Sequence, residues 1–184
     1  MAQPEFDPTG FDGVWRMHLA DSKVLDPVTG EWLPETIDDQ VSETRHDGDV
    51  VRFRSRIQHA PDLVLYLGYT CRYGAAEWAP YTVLHIEGDP EHEHLRPNEF
   101  RKVHARVGEP IGFAKQVYVD LRTRFRITRH PNGVAQYLLM QRLSEDGRRS
   151  VAKVMNADSE AAIEKHSIRD TGPAPEWPPG AQWH

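Results

Sequence analysis

The run from Pro80 to Glu87 puts Tyr81, Val83, His85 and Glu87 on one parity and Thr82, Leu84 and Ile86 on the other. An imidazole titrates near neutral pH and a desolvated carboxylate rises toward it, so His85 and Glu87 facing a cavity would form an acid/base pair able to move a proton. With Leu84 and Ile86 inside instead, both groups would simply face water. Tyr66, Tyr69, Tyr73, Tyr118 and Tyr137 join Tyr81 in a tyrosine-rich set of strand-like segments. Tyrosine offers a flat wall to an aromatic ligand and a hydroxyl that donates to a carbonyl, although it also serves as ordinary packing. Leu65, Leu67, Tyr69, Cys71 and Tyr73 share one parity, and that parity is expected to line the interior.

Two arginine stripes are the most regular feature of the chain. Arg52, Arg54 and Arg56 fall on one strand face, and Arg122, Arg124 and Arg126 on another. Pointing outward they are solvated surface, the usual place for arginine. Pointing inward, a stripe grips an anionic ligand through bidentate contacts. The expected ligand-binding set is therefore Tyr66, Tyr69, Cys71, Tyr73, Tyr81, Tyr118, Arg124 and Tyr137, with His85 and Glu87 as the catalytic pair. His92 and His94, flanked by Glu91 and Glu93, have the composition of a metal cluster that His85 or His104 would complete. They follow Gly88-Asp89-Pro90 in a charged loop, where solvated side chains are the default, so no metal or cofactor is expected. Sequence signatures of dinucleotide, phosphate-loop, serine-hydrolase and zinc-protease chemistry are absent.

These groups need strands to hold them. From Gln116 to Ile127, the residues Val117, Val119, Leu121, Thr123, Phe125 and Ile127 alternate with Gln116, Tyr118, Asp120, Arg122, Arg124 and Arg126, the period of two of a strand. Pro131, Asn132 and Gly133 then turn the chain into Val134–Leu143, which makes a long hairpin. Strands are also expected over Gly13–Ala20, with Trp15, Met17 and Leu19 buried, and over Val51–Gln58, Leu63–Tyr73, Pro80–Glu87, Ser150–Asn156 and Ala161–Arg169. Ile37–Arg45 is a weaker candidate. Pro27–Gly30, Asp47-Gly48 and Asp146-Gly147 mark turns. Arg96–Val107 reads either as a short helix, with Pro97 at its first position and Gly108 at its end, or as an extended segment. About nine short strands with regular turns predict an antiparallel all-β domain, best closed as a barrel of about 8–10 strands with one short helix or lid segment. The expected division is a flexible arm over 1–10, a single barrel domain over 11–170 with residues 88–110 as a possible lid insertion, and a proline-rich tail over 171–184.

The 184 residues suffice for one domain with a substantial core. A net charge of −6 disfavours nucleic acid, and no apolar run is long enough to span a membrane. Cys71 is the single cysteine, so no intrachain disulfide forms, and a cytoplasmic location is expected. A homodimer is compatible with all of this.

The segment Phe11-Asp12-Gly13-Val14-Trp15, followed by Asp21-Ser22, resembles the opening of the calycin barrels, the group of lipocalins and fatty-acid-binding proteins. The resemblance implies a lipocalin-like cup holding a small apolar molecule, with Trp15 plugging one end as a structural residue. The chain lacks the Arg-x-Tyr triplet with which fatty-acid-binding proteins hold a carboxylate. The expected function is binding of a small hydrophobic or aromatic molecule in the cavity, with cofactor-independent acid/base chemistry (isomerase, cyclase or lyase). The alternative is a carrier or sensor that releases the molecule unchanged.

Overall fold

The computed structural model describes residues 5–173 and 175–183. Ten antiparallel strands close into a barrel: β1 (Gly13–Met17), then β4 (Asp39–Asp47), β5 (Val50–Ala60), β6 (Leu63–Arg72), β7 (Ala79–Glu87), β8 (Pro110–Asp120), β9 (Thr123–Arg129), β10 (Ala135–Leu143), β11 (Arg149–Asn156) and β12 (Ala162–Asp170). Closure comes from β1, which pairs with β4 on one side and with the second half of β12 on the other. The first half of β12 pairs instead with β2 (Lys23–Leu25), which with β3 (Trp32–Pro34) forms a hairpin outside the barrel. Closing the sheet leaves its main strands without free edges.

Short turns account for the up-and-down order. Gly48, Gly133 and Gly147 all take positive φ in the hairpins read from Asp-Gly and Asn-Gly pairs. The single long strand expected through this region is divided, however. Asp120 ends β8 and its Oδ1 accepts from the Arg122 amide at 2.8 Å, an aspartate turn that needs neither glycine nor proline. The apolar side of this hairpin also faces outward: Val117, Val119, Leu121 and Ile127 are exposed, while Gln116, Arg124 and Arg126 face the interior.

Trp15 closes one end. It is 2 % exposed and packs with Phe11 and Leu143, and its indole donates to the Phe11 carbonyl at 3.0 Å. The Arg169 guanidinium lies 4.3 Å from the indole ring and donates to the carbonyls of Gly10, Asp12 and Gly147. Phe11 belongs to a short 3-10 turn over Pro8–Phe11, started by Asp7. The first four residues of the expected arm lie outside the described residues, as do Ala174 and His184 of the tail.

The opposite end is covered by residues 88–109, between β7 and β8. No helix forms over 96–107. The segment holds a 3-10 turn at Glu93–Leu95 and is otherwise irregular. Its own anchor replaces the helix: Arg101, 7 % exposed, donates to the carbonyls of His94, Arg96 and Val103. The bonds to Arg96 and Val103 satisfy carbonyls that a helix would have satisfied along its axis. Leu95 and Ala105 from the same segment are fully buried in the main core beside Leu63, Leu65 and Val83.

The tail docks on the outer wall. Arg54 is sandwiched between Trp177 and Trp183, its guanidinium 4.2 Å from each ring, and donates to the Ala181 carbonyl. Arg54 also forms an ion pair with Glu43 at 2.6 Å, and Glu43 in turn pairs with Arg45. Among the described residues, no helix is long and apolar enough to cross a membrane.

Candidate functional site

Inside the barrel is a cavity of about 500 Å³. Its floor is Trp15, and residues 93–101 form its rim. Phe53, Ile57, Leu65, Leu67 and Ile111 supply apolar wall, with Tyr69, Tyr81 and Tyr137 as flat aromatic panels. Into this space project Arg124, Arg126, Lys165, His59, Gln116 and Gln141. Pairing explains the arrangement: Arg124, Gln141, Ala152 and Lys165 are successive register partners across β9, β10, β11 and β12, so they share the inner face. Arg126 pairs with Gln116 and Leu139 one step nearer the covered end.

Arg126 is the centre of the site. Four rings surround its guanidinium, with centroids at 5.1 Å (Tyr81), 5.4 Å (Phe53), 5.5 Å (Tyr137) and 5.8 Å (Tyr69). It donates to the Tyr137 hydroxyl at 3.2 Å, and its Nε has no partner. Arg124 donates to Gln141 at 2.8 Å and lies over the Phe11 ring, with one Nη unpaired. Among the described residues no carboxylate stands within 4 Å of either guanidinium. Buried charges are ordinarily paired, so two unpaired guanidiniums in one cavity leave a place for an anion. The interior also suppresses ionisation of its phenols: burial raises Tyr69 and Tyr81, against the pull of Arg126. Both hydroxyls therefore stay protonated and can donate.

The rim side carries two further groups. Lys165 donates to the Gln40 amide oxygen at 2.7 Å. His59 is half-buried, its shielded Nε2 has no partner, and desolvation together with the nearby Arg101 pushes its pKa down to about 4, so the ring is neutral at pH 7.

Of the residues expected from sequence, Tyr69, Tyr81, Arg124 and Tyr137 line the cavity together. Cys71, Tyr73 and Tyr118 lie beyond its floor. Tyr73 and Tyr118 meet each other and Phe6 edge to face, and Tyr73 bonds His46, whose other nitrogen meets Asp12. Burial pushes the Cys71 thiol up to about 11. Tyr66 stands on the outer wall under Trp177, and His85 and Glu87 are on that wall with it. The Tyr66 hydroxyl donates to Glu87 Oε1 at 2.8 Å.

A β-bulge at Leu84 is the reason. Leu67 pairs with Val83 but Tyr66 pairs with His85, so Leu84 is an extra residue and the parity of β7 reverses there. Tyr81 and Val83 face in; beyond the bulge Ile86 faces in, and His85 and Glu87 face out. Gly68 makes room, since a Cβ there would meet Leu84 Cδ1 at 2.7 Å. The alternation of apolar residues does not record this extra residue. Lys165 and His59 were missed as site residues, and Arg126, named in an arginine stripe able to grip an anion, was left out of the expected set, for a related reason: charged positions on a strand read as solvent-facing by default.

His92 and His94 lie at the rim, where their rings are 5.1 Å apart and His94 is 6.0 Å from His59. Among the described residues no group of three or more His, Cys, Asp or Glu side chains is placed to hold a metal ion. Compared with protein-family models and with curated protein sequences, the chain matches none.

Proposed function

We propose that the barrel binds a small molecule with an aromatic or apolar body and one acidic group, such as a carboxylate, in the manner of a calycin cup. The carrying observation is Arg126, enclosed by four aromatic rings and unpaired by any carboxylate among the described residues. Aromatic faces accept the flat body, and the guanidinium accepts the acid with charge-assisted bonds in a low-dielectric site. A volume of about 500 Å³ is in the range of small-molecule sites. One observation favours chemistry over carriage: His59, held neutral with a free ring nitrogen, lines the same cavity and suits proton transfer. We also infer a cytoplasmic location, supported by the single free thiol.

Fluorescence titration with 8-anilinonaphthalene-1-sulfonate and with its uncharged counterpart N-phenyl-1-naphthylamine tests the reading. The anion should bind roughly tenfold or more tightly, the worth of one charge-assisted contact. Equal affinity, or binding of neither, overturns it.

A further inference from the structure

Lys165 is the one lysine in the cavity lining, and the sheet gives it an unusual setting. It points inward from β12 between Ile163 and Ser167, register-paired with Ala152. Its amine meets a neutral amide, Gln40 Oε1, and among the described residues no carboxylate lies within 4 Å. The other four lysines sit differently: Lys23, Lys102 and Lys153 pair with carboxylates at 3.4–3.8 Å, and Lys115 lies over Trp78. An ammonium is a poor thing to enclose with apolar walls and another cation, and the neutral amine is the form such a site favours. In agreement, burial pushes the Lys165 ammonium below its ordinary range, and Arg126 adds to this against the opposing pull of Glu35. His59, which feels the charge of Lys165, offers an unpartnered imidazole nitrogen in the same space.

We propose that Lys165 is a nucleophile that condenses with the carbonyl of an aldehyde or keto acid, whose carboxylate is held at Arg126. The inference rests on the anion-binding reading above and adds the second functional group of the ligand. The Nζ lone pair attacks the carbonyl carbon to give a carbinolamine; loss of the hydroxyl with a proton, as water, leaves the imine. His59, which lines the same cavity, takes up the proton that Nζ sheds once it has attacked and returns it to the departing hydroxyl. No oxidant or reductant is consumed. Arg101, His92 and His94 of the covering segment are the other charged or titratable groups facing His59.

The test is reductive trapping of the full-length protein with 4-carboxybenzaldehyde and sodium cyanoborohydride, followed by peptide mapping. Lys165 should be labelled at least tenfold faster than Lys23, Lys102, Lys115 or Lys153, and the rate should saturate with aldehyde. A saturating excess of 4-methylbenzoate should suppress it. Lys165→Arg should abolish the label yet still bind the naphthalenesulfonate probe. The wild-type map stands even where that variant fails to fold. Even labelling of all five lysines, with 4-methylbenzoate still displacing the fluorescent anion, overturns the role of Lys165 and leaves anion binding intact. Failure of both anions to bind overturns the two readings together.

Discussion

Arg126 donates to the hydroxyl of Tyr137 at 3.2 Å inside the barrel, and among the described residues no carboxylate stands within 4 Å of its guanidinium. On the proposed reading, its positive charge serves the acidic group of a ligand. Arg126→Met should weaken the naphthalenesulfonate probe roughly tenfold to a hundredfold, the value of a hydrogen bond to a charged group. It should not lower the midpoint of urea unfolding, because removing an unpaired buried cation relieves desolvation. A loss of binding accompanied by an equal loss of stability would mark Arg126 as a packing residue instead.

His59 makes stability depend on pH in a definite window. Its folded pKa, about 4, lies below the ordinary 6.5, so between these values the unfolded chain takes up a proton that the folded chain refuses. Stability is full above pH 6.5, declines by about 3 kcal/mol as pH falls toward 4, and flattens below. Aspartates whose pKa is lowered by turn hydrogen bonds, such as Asp120, lose their contribution only further down, below their ordinary 3.8. Urea unfolding at a series of pH values should show the slope in the wild type and lose this part in His59→Gln.

On the outer wall, Arg54 links the tail to the barrel through Glu43, Trp177 and Trp183. Arg54→Met leaves Glu43, 4 % exposed, with only the more exposed Arg45 as partner. Breaking a buried pair from one side should cost about 3 kcal/mol in chemical denaturation. The change should also increase solvent quenching of tryptophan fluorescence, as both indoles lose the cation between them.

Cys71 is shielded and its thiol is pushed up to about 11 from the ordinary 9. At pH 8 its alkylation by iodoacetamide should be roughly a hundredfold slower than in the urea-unfolded chain, since the thiolate is the reactive form. Rapid modification of the folded protein would show that the region below the cavity floor opens readily.

Much of the barrel was legible in the residues. Asp47-Gly48, Asn132-Gly133 and Asp146-Gly147 mark hairpins by the backbone conformation they require, and Trp15 announces a buried end. The turn after Asp120 was not legible, because its signal is one side-chain bond rather than a glycine. The helix expected over 96–107 was a matter of caps and spacing. Arg101 instead ties its neighbours' carbonyls together, an interaction that periodicity does not encode. At the site, Tyr69, Tyr81, Arg124 and Tyr137 share an interior face that parity suggests. Whether that face is the polar or the apolar one depends on what the cavity holds, and Val117 and Ile127 lie outside because Gln116 and Arg126 lie inside.

The extra residue at Leu84 acts as a reading-frame shift written into a strand. Taking Leu84 into the ladder as an ordinary paired residue would rotate everything downstream by half a turn, carrying an imidazole and a carboxylate from the wall beneath the tail into the chamber and expelling Ile86. The same ten strands thus hold two alternative interiors, separated by a single amino acid.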